Sequence, residues 1–351
     1  MKPKNVRMAL LGTGAMANVH ATKFRAIRGC EVVAAADVDL SRAREFAAKH
    51  HIPAAFAGVE EMLKKSACDA VAIVAPDAFH TPLALACLKA GKHVLCEKPL
   101  ALNYPDAKRM VAAARRTGAV NMVNFSYRDW PAIQAVAALV QRGGIGEVRH
   151  VEASYLQAWL ASKIWGDWRT SPSWLWRLSS GHGSKGVLGD VGVHIVDFAT
   201  YPVGPIASVH GRLKTFPKAA GNRIGGYRLD ANDSAVLSVE FKNGALGTIH
   251  TTRWCGGHAN RLFLKIAGTK GTVEIDSDRA TDSYRICAGK DLDTSVWRDV
   301  AAGAVPSNHE RFVRAIRAGR HDQPDFARGA EIQRVLDACF VSDAEKQPVK
   351  L

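Results

Sequence analysis

The run Val6-Arg7-Met8-Ala9-Leu10-Leu11-Gly12-Thr13-Gly14-Ala15-Met16-Ala17 passes from a short apolar strand into a glycine-rich turn. Its last six residues form a G-x-G-x-x-A pattern. The first glycine permits a tight turn, and the second lets the backbone approach a pyrophosphate. Ala17 lets the following helix pack closely on the strand, with its N-terminus toward the anion. Asp37 closes the next strand, 20 residues beyond Ala17. A carboxylate there is placed to accept hydrogen bonds from an adenosine ribose and to repel a 2′-phosphate. Gly12, Gly14, Ala15, Met16, Ala17 and Asp37 are therefore expected to hold a dinucleotide. NAD is the expected cofactor, and Arg42 and Arg44 at the start of the next helix keep NADP as the alternative.

From Val6 to about Phe125, short apolar runs alternate with helical segments, the pattern of a parallel sheet covered on both faces. Six strands are expected: Val6 to Leu11, Glu31 to Ala36, Ala54 to Phe56, Asp69 to Ala75, His93 to Cys96 and Val120 to Asn124. Thr81-Pro82 reads as an N-cap and first-turn proline for a helix over Leu83 to Ala90, stopped by Gly91, and Pro105 and Gly118 bracket another. Beyond a further helix at Ala132 to Gln141 the character changes. Strand-like runs at Glu147 to Gln157, Ser234 to Phe241, Ala245 to Thr252, Arg261 to Ala267 and Thr272 to Ile275 suggest an open antiparallel sheet. Asn243-Gly244 reads as a two-residue type I′ turn, and Gly268 to Gly271 as a second reversal. The expected fold is thus an α/β Rossmann domain over 1–124 and, over 125–351, an α+β domain with a large, mostly antiparallel open sheet. No flexible linker separates the two halves, so a ligand is expected in the crevice between them.

The 351 residues fit two domains at roughly 100 to 200 residues each, and 47% apolar composition can fill two cores. Stretches such as Val32 to Ala36 and Ala70 to Ala75 fall far short of the roughly 18 residues of a membrane span. Met1 to Arg7 is basic, but the apolar run after it stops at Gly12 and reads as a strand, so a cytoplasmic protein is expected. Seven cysteines without a C-x-x-C pair argue against both a disulfide framework and a zinc knuckle. The net charge of +14 would attract any anion, yet no nucleic-acid module accompanies it. Arg311, Arg314 and Arg317 read as a solvated basic face.

Two clusters carry candidate chemistry. Glu97-Lys98-Pro99 ends the fifth strand, at the edge where open α/β sheets hold ligands. The Lys98 ammonium could polarise a carbonyl or stabilise an alkoxide there, with Pro99 fixing the backbone, if need be through a cis bond. The alternative is a surface lysine paired with Glu97. In Gly189 to Asp197, Asp190, His194 and Asp197 recur at spacings of four and three on one helix face, around a Gly192 whose presence suggests close approach of a substrate or cofactor ring. A solvated stripe and a metal site are the competing readings. Metal is disfavoured, because no further Cys or His cluster is evident.

Gly12 to Ala17, Asp37, Glu97-Lys98-Pro99 and Asp190-x-Gly192-x-His194-x-x-Asp197 resemble the glucose-fructose oxidoreductase, inositol dehydrogenase and rhizopine-catabolism (Gfo/Idh/MocA) family. The similarity runs nearly end to end, through Ala75-Pro76 with His80, Tyr127-Arg128, Gly146-Glu147-Val148, Gly268-Thr269-Lys270-Gly271 and the tail around Ser342. The resemblance implies reversible hydride transfer between a nicotinamide and a sugar or cyclic polyol, with Lys98, Asp190 and His194 at the catalytic positions. It also implies that Ala75, Pro76, His80, Glu97 and Lys98 join the cofactor-binding residues. His194 would take the hydroxyl proton, Lys98 would hold the oxygen, and Asp190 would orient the imidazole or bond a neighbouring hydroxyl. Relatives that cleave glycosides through transient redox, or that only sense a dinucleotide, are the alternatives.

Besides Lys98, Asp190 and His194, the expected substrate contacts are Tyr155, Gln157, Trp176 and Arg177. Tyr155 and Gln157 replace the His and Asn more usual in inositol dehydrogenases, which points away from myo-inositol itself. Five of the eight tryptophans lie between 159 and 176, where flat rings suit sugar faces, or else a small core under a loop. His258 and Asn260 are further candidates. The expected partners are a small-molecule sugar or cyclitol and further copies of the chain in a homodimer or homotetramer, with no nucleic acid and no membrane.

Overall fold

The computed structural model describes residues 5–351, so Met1 to Lys4 of the basic start lie outside the described residues. The chain divides into two compact units, one of residues 1–126 and 306–333 and the other of 127–305 and 334–351. In the first, strands β1 (Val6–Leu11), β2 (Cys30–Ala36), β3 (Ala54–Phe56), β4 (Ala70–Ile73), β5 (His93–Cys96) and β6 (Asn121–Val123) form a six-stranded sheet in the order β3-β2-β1-β4-β5-β6. Every pairing is parallel. A parallel pair requires a crossover, and the crossovers are α1 (Ala15–Arg25), α2 (Leu40–Lys49), α3 (Val59–Lys65), α4 (His80–Lys89) and α5 (Tyr104–Thr117). Met8, Ala9 and Leu10 of the central strand are wholly buried.

Local chemistry sets the helix ends. Asp39 caps α2 by accepting from the backbone of Ser41 and Arg42, at 2.9 and 3.2 Å. Asn103 caps α5, and Gly118 ends it in the left-handed region at φ 63°. Thr81 is not an N-cap as its sequence context suggests. A short turn at Asp77–Phe79 feeds directly into α4, which begins at His80, and the Thr81 hydroxyl reaches Met110 Sδ at 3.5 Å instead.

The second unit begins with α6 (Pro131–Gln141), β7 (Val148–Gln157) and the single turn α7 (Pro172–Leu175), followed by α8 (Val193–Val203). Then come β8 (Ile206–Lys214), the small hairpin β9 (Arg223–Ile224) and β10 (Tyr227–Arg228), β11 (Ser234–Phe241) and β12 (Leu246–Thr252). The remaining strands before the return are β13 (Asn260–Gly268), β14 (Gly271–Asp276), β15 (Ser283–Ala288) and β16 (Arg298–Ala301). With β17 (Val349–Lys350), β7, β8 and β11 to β16 build a nine-stranded sheet in the order β16-β15-β14-β13-β7-β12-β11-β8-β17. Helices α6 and α8 pack together, α8 against β7, β12 and β13 and α6 against β14 and β15.

The sheet is mostly antiparallel, as expected, with one parallel pairing, β7 with β12, at its centre. One expectation about it is corrected. The β11–β12 loop is not a two-residue type I′ turn. Gly244 N–H bonds Phe241 O at 2.9 Å and Phe241 N–H bonds Ala245 O at 2.8 Å, with only Gly244 of the Asn-Gly pair left-handed, at φ 84°. That is the three-residue loop ending in a left-handed glycine, in which the asparagine keeps a negative φ.

The chain then returns. Helix α9 (Asn308–Ala318), opened by a Ser307/Glu310 capping box, packs on α1, β1 and β6, and Phe312 and Val313 enter the first unit's core beside Met8, Leu10 and Phe24. Helix α10 (Phe326–Glu345) follows. The assignment of everything after residue 124 to the second domain is therefore corrected for 306–333. Nor is the arginine row a purely solvated face. Arg311 makes two contacts to Asp322, at 2.8 and 3.0 Å, and Arg317 donates to the Gly29 carbonyl at 2.7 Å. Among the described residues no helix is long and apolar enough to cross a membrane.

Because Phe312 is fully buried in the core of the first unit, Phe312→Ala is expected to destabilise the protein by about 3 to 5 kcal/mol. The urea midpoint of unfolding, followed by far-ultraviolet circular dichroism, is the measurement.

Candidate active site

In the first unit all parallel strands end at one edge, and the sheet order reverses between β1 and β4. Such a switch point is where open α/β sheets bind ligands. Gly12 sits there at φ +91°, and a Cβ on it would lie 2.7 Å from the Val74 carbonyl oxygen, so both its conformation and its neighbour require glycine. A Cβ built on Gly14 meets nothing within 4 Å, so the space in front of the α1 N-terminus is open. Ala15 and Met16 are exposed at that N-terminus, and Ala17 is fully buried against the sheet. A turn that keeps its backbone bare in front of free helix N–H groups fits a dinucleotide pyrophosphate.

Asp37 accepts from the Thr13 backbone at 2.9 Å and from the Thr13 hydroxyl at 2.8 Å, and so ties the end of β2 to the glycine turn. Burial alone would raise its carboxyl. The Thr13 and Asp39 hydrogen bonds, together with Arg42 at 3.5 Å, hold it below the usual range. Ala75 and Pro76 follow β4 at the same edge. His80 is wholly buried, its ring nitrogens 2.7 Å from the Pro99 carbonyl and 2.9 Å from the Ala75 carbonyl. It therefore braces the loops after β4 and β5 against each other.

Lys98 follows β5, and its bond to Pro99 is cis. Glu97 is not its surface partner. The carboxylate turns inward, 8% exposed, where Oε1 lies 2.8 Å from His20 Nε2 and accepts from Asn124 Nδ2 at 2.7 Å. Burial pushes a carboxyl up, but these donors bring Glu97 down to about 2. His309, beyond His20, is likewise lowered to about 2, first by burial and then by the neighbouring His20.

In the second unit the stretch carrying Asp190 and His194 is not one uniform α-helix. Leu188–Gly192 forms a π turn, and α8 proper starts at Val193. Gly192 does not make room for a ligand ring: a Cβ there would meet Leu188 Cδ1 of the same turn at 2.8 Å. Asp190 Oδ2 accepts from the buried Arg253 Nη2 at 3.0 Å and has Arg177 Nε at 3.8 Å. Asp197 makes two bonds to Arg128, at 2.7 and 2.8 Å, both side chains being almost fully buried. The His194 ring, 7% exposed, meets Tyr127 edge-on at 4.7 Å between centroids, with Tyr155 at 6.3 Å.

Around that imidazole lies a closed ring of hydrogen bonds. Tyr155 donates to Asn260 Oδ1 at 2.7 Å, Asn260 Nδ2 donates to the Tyr127 oxygen at 3.1 Å, and Tyr127 completes the circuit to Tyr155. Gln157 Nε2 adds a second donor to Asn260 Oδ1 at 2.9 Å, while Gln157 Oε1 accepts from Trp159. Burial, then the proximity of Tyr127 and the charge of Asp190, push the Tyr155 hydroxyl well up, so it stays a neutral donor. The structure thus groups Tyr155, Gln157 and Asn260 with His194. His258 pairs with Asp278 at 2.6 Å.

Three of the five tryptophans belong to a small core: Trp159 and Trp168 are buried with Leu160, Leu175, Leu178 and Leu229, and Trp174 packs against them. Trp176, 37% exposed, carries the Arg177 guanidinium 4.7 Å from its ring centre. Sequence reasoning missed Arg253 and the part played by Tyr127. An arginine just past β12, followed directly by Trp254 and Cys255, was the available signal.

The family described as "Oxidoreductase family, NAD-binding Rossmann fold" matches residues 6–125, and the "GFO/IDH/MocA C-terminal domain" matches residues 133–274. Levoglucosan dehydrogenase of Pseudarthrobacter phenanthrenivorans is 27% identical over 98% of this chain and 97% of its own length. Levoglucosan dehydrogenase solved in complex with NADH and L-sorbose superposes with a TM-score of 0.88 at 27% identity, covering 99% of both chains. An oxidoreductase domain protein from Kribbella flavida gives 0.87 at 31% identity, again over 99% of both.

The buried network of the first unit makes the protein sensitive to acid. His309 titrates at 6.5 when exposed and near 2 in the fold, so between those values the unfolded chain binds an extra proton. Its contribution is fully present above pH 6.5 and is lost as pH falls; Glu97 adds the same sign below 4.5. Between pH 6 and 5 the urea-derived unfolding free energy of wild type is expected to carry a slope of up to ~1.4 kcal/mol per pH unit from His309, which His309→Leu removes.

Proposed function

This chain belongs to the Gfo/Idh/MocA family of NAD-binding oxidoreductases, and from that premise we propose that it interconverts a secondary hydroxyl and a ketone on a ring sugar or cyclic polyol. The observation that carries the reading is the His194 imidazole. It is buried against Tyr127 beside the polar ring of Tyr155, Asn260 and Gln157, at the position the family resemblance assigns to the catalytic histidine. NAD, when bound at the glycine turn, supplies the acceptor for the hydride. In the oxidation direction His194 takes the hydroxyl proton, an imidazole nitrogen acting as general base. The Lys98 ammonium holds the same oxygen and favours its developing negative charge. Asp190, gripped by Arg253, hydrogen-bonds a neighbouring hydroxyl.

For the substrate we infer a closed-ring sugar, with levoglucosan the first candidate, supported by the end-to-end similarity to levoglucosan dehydrogenase. Trp176 offers a partly exposed ring face for such a sugar, with Arg177 stacked on it. NADH formation across a panel of anhydrosugars, aldoses, inositols and sugar acids is expected to be fastest on one of the closed-ring sugars. Activity confined to open-chain acids would overturn this reading. His194→Ala is expected to lower turnover at least a hundredfold while NADH affinity, measured by fluorescence, changes little.

We further propose a homodimer through the outer face of the nine-stranded sheet, in a reducing, cytoplasmic setting that suits seven free cysteines, six of them buried. On that face Val236 pairs across the strands with His250, and Leu246 with Glu240, and both apolar side chains are more than half exposed. Sedimentation is expected to give twice the chain mass for wild type, and the chain mass for a Val236→Glu/Leu246→Glu double variant.

A further inference from the structure

A chain of buried polar side chains runs beneath the lysine loop of the first unit, and the proposed reaction as described so far does not use it. His20 on α1 places Nε2 2.8 Å from Glu97 Oε1 and Nδ1 3.0 Å from His309 Nε2 on α9. Asn124, just past β6, donates to Glu97 Oε1 at 2.7 Å, and the backbone N–H of Lys98 donates to Glu97 Oε2 at 3.2 Å. On the other side of Lys98, the Pro99 carbonyl lies against His80 Nδ1 at 2.7 Å. Lys98 therefore stands between two anchored neighbours. His20, His80 and His309 are 0%, 0% and 1% exposed, so none of these rings is held in place by a surface contact that water could replace.

The proton positions follow from the chemistry of the groups. An ionised carboxylate only accepts, so His20 Nε2 must carry a hydrogen toward Glu97. A neutral His309 then shares a single hydrogen with His20 Nδ1, whichever ring carries it, and the His20 imidazole is held at both nitrogens. Burying a carboxylate with two imidazoles is costly compared with packing apolar side chains of the same volume. Here that cost coincides with the one loop whose terminal amine acts on the substrate.

We propose that His20 and His309 are positioning residues, acting through Glu97 to fix the backbone at Lys98 and so the approach of its ammonium to the substrate oxygen. The proposal rests on the assignment of Lys98 to the reaction. It makes the returning helix α9, distant in sequence, part of the active-site scaffold. Glu97 itself becomes a support for the lysine rather than a cofactor contact, because both its oxygens are engaged from within. Fixing a reacting group in this way acts on turnover more than on binding, since a displacement of about 1 Å can cost a hundredfold in rate.

The test uses full-length His20→Leu, His20→Gln, His309→Leu, Glu97→Gln and Lys98→Met proteins. Turnover is read as NADH absorbance on the sugar that wild type oxidises fastest, and expressed per NADH-binding site titrated by fluorescence. His20→Leu is expected to lose tenfold to a hundredfold in kcat, with KM and NADH affinity within about threefold. His20→Gln, whose amide reaches Glu97 from the same position, is expected to recover most of that loss, and His309→Leu to fall between. Wild-type kcat per site in His20→Leu, with Lys98→Met inactive, would overturn the proposal and leave the role of Lys98 standing. Wild-type turnover in Lys98→Met would overturn the underlying reading instead. Should His20→Leu fail to fold, Glu97→Gln decides: loss of kcat with NADH sites intact supports the proposal, and unchanged kcat overturns it. Parallel loss of activity and NADH sites in all the variants would mark the network as structural only and also overturn it.

Discussion

In a parallel sheet every strand finishes at the same edge, and this constraint organises the first unit. The ends of β1, β2, β4, β5 and β6 deliver Gly12, Asp37, Ala75, Glu97-Lys98 and Asn124 to one rim. No residue there needs a long loop to reach its place. The polar atoms of the rim are then fixed by hydrogen bonds that join successive strand ends: Asp37 to Thr13, His80 to both Ala75 and Pro99, and Asn124 to Glu97. Rigid placement on strand ends is what a hydride-transfer site requires, because the reacting atoms must be held within a fraction of an ångström.

The second unit solves the same problem with buried charges. Arg128 with Asp197 and Arg253 with Asp190 remove four charged groups from water to different degrees, and each pair is well bonded. Such pairs add little net stability, but losing one partner strands the other, so they hold a single arrangement. The Arg128–Asp197 pair anchors α8 one turn past His194 and fixes the residue next to Tyr127, whose ring packs on the imidazole. The π turn at 188–192 lets Asp190 leave the regular helical phase and reach Arg253.

Where the sequence carried a local signal, the fold was legible in it. Strands β1, β3, β5 and β11 lie where apolar patterning places them, and the glycine turn has the geometry its spacing implies. Strands β8, β15 and β16 carried a weaker signal, because β8 is interrupted by Gly211 and β15 and β16 are short and carry charged residues, so pairing with neighbouring strands defines them. The tryptophans of 159–176 show the same limit: ring chemistry suits a sugar or a core equally, and packing against Leu178 and Leu229 chose the core for Trp159 and Trp168.

By itself the sequence determined the dinucleotide turn, the parallel sheet and the identity of Lys98, Asp190 and His194 as candidates, since each rests on residues close together in the chain or on a motif of fixed spacing. Only the tertiary structure decided that α9 returns to the first unit, that Glu97 faces His20 and not the surface, and that Arg253 grips Asp190. The reason is physical: the partners of a buried charge are chosen by which side chains share the same dry space. His20 and His309, 289 residues apart, share one that no local pattern records.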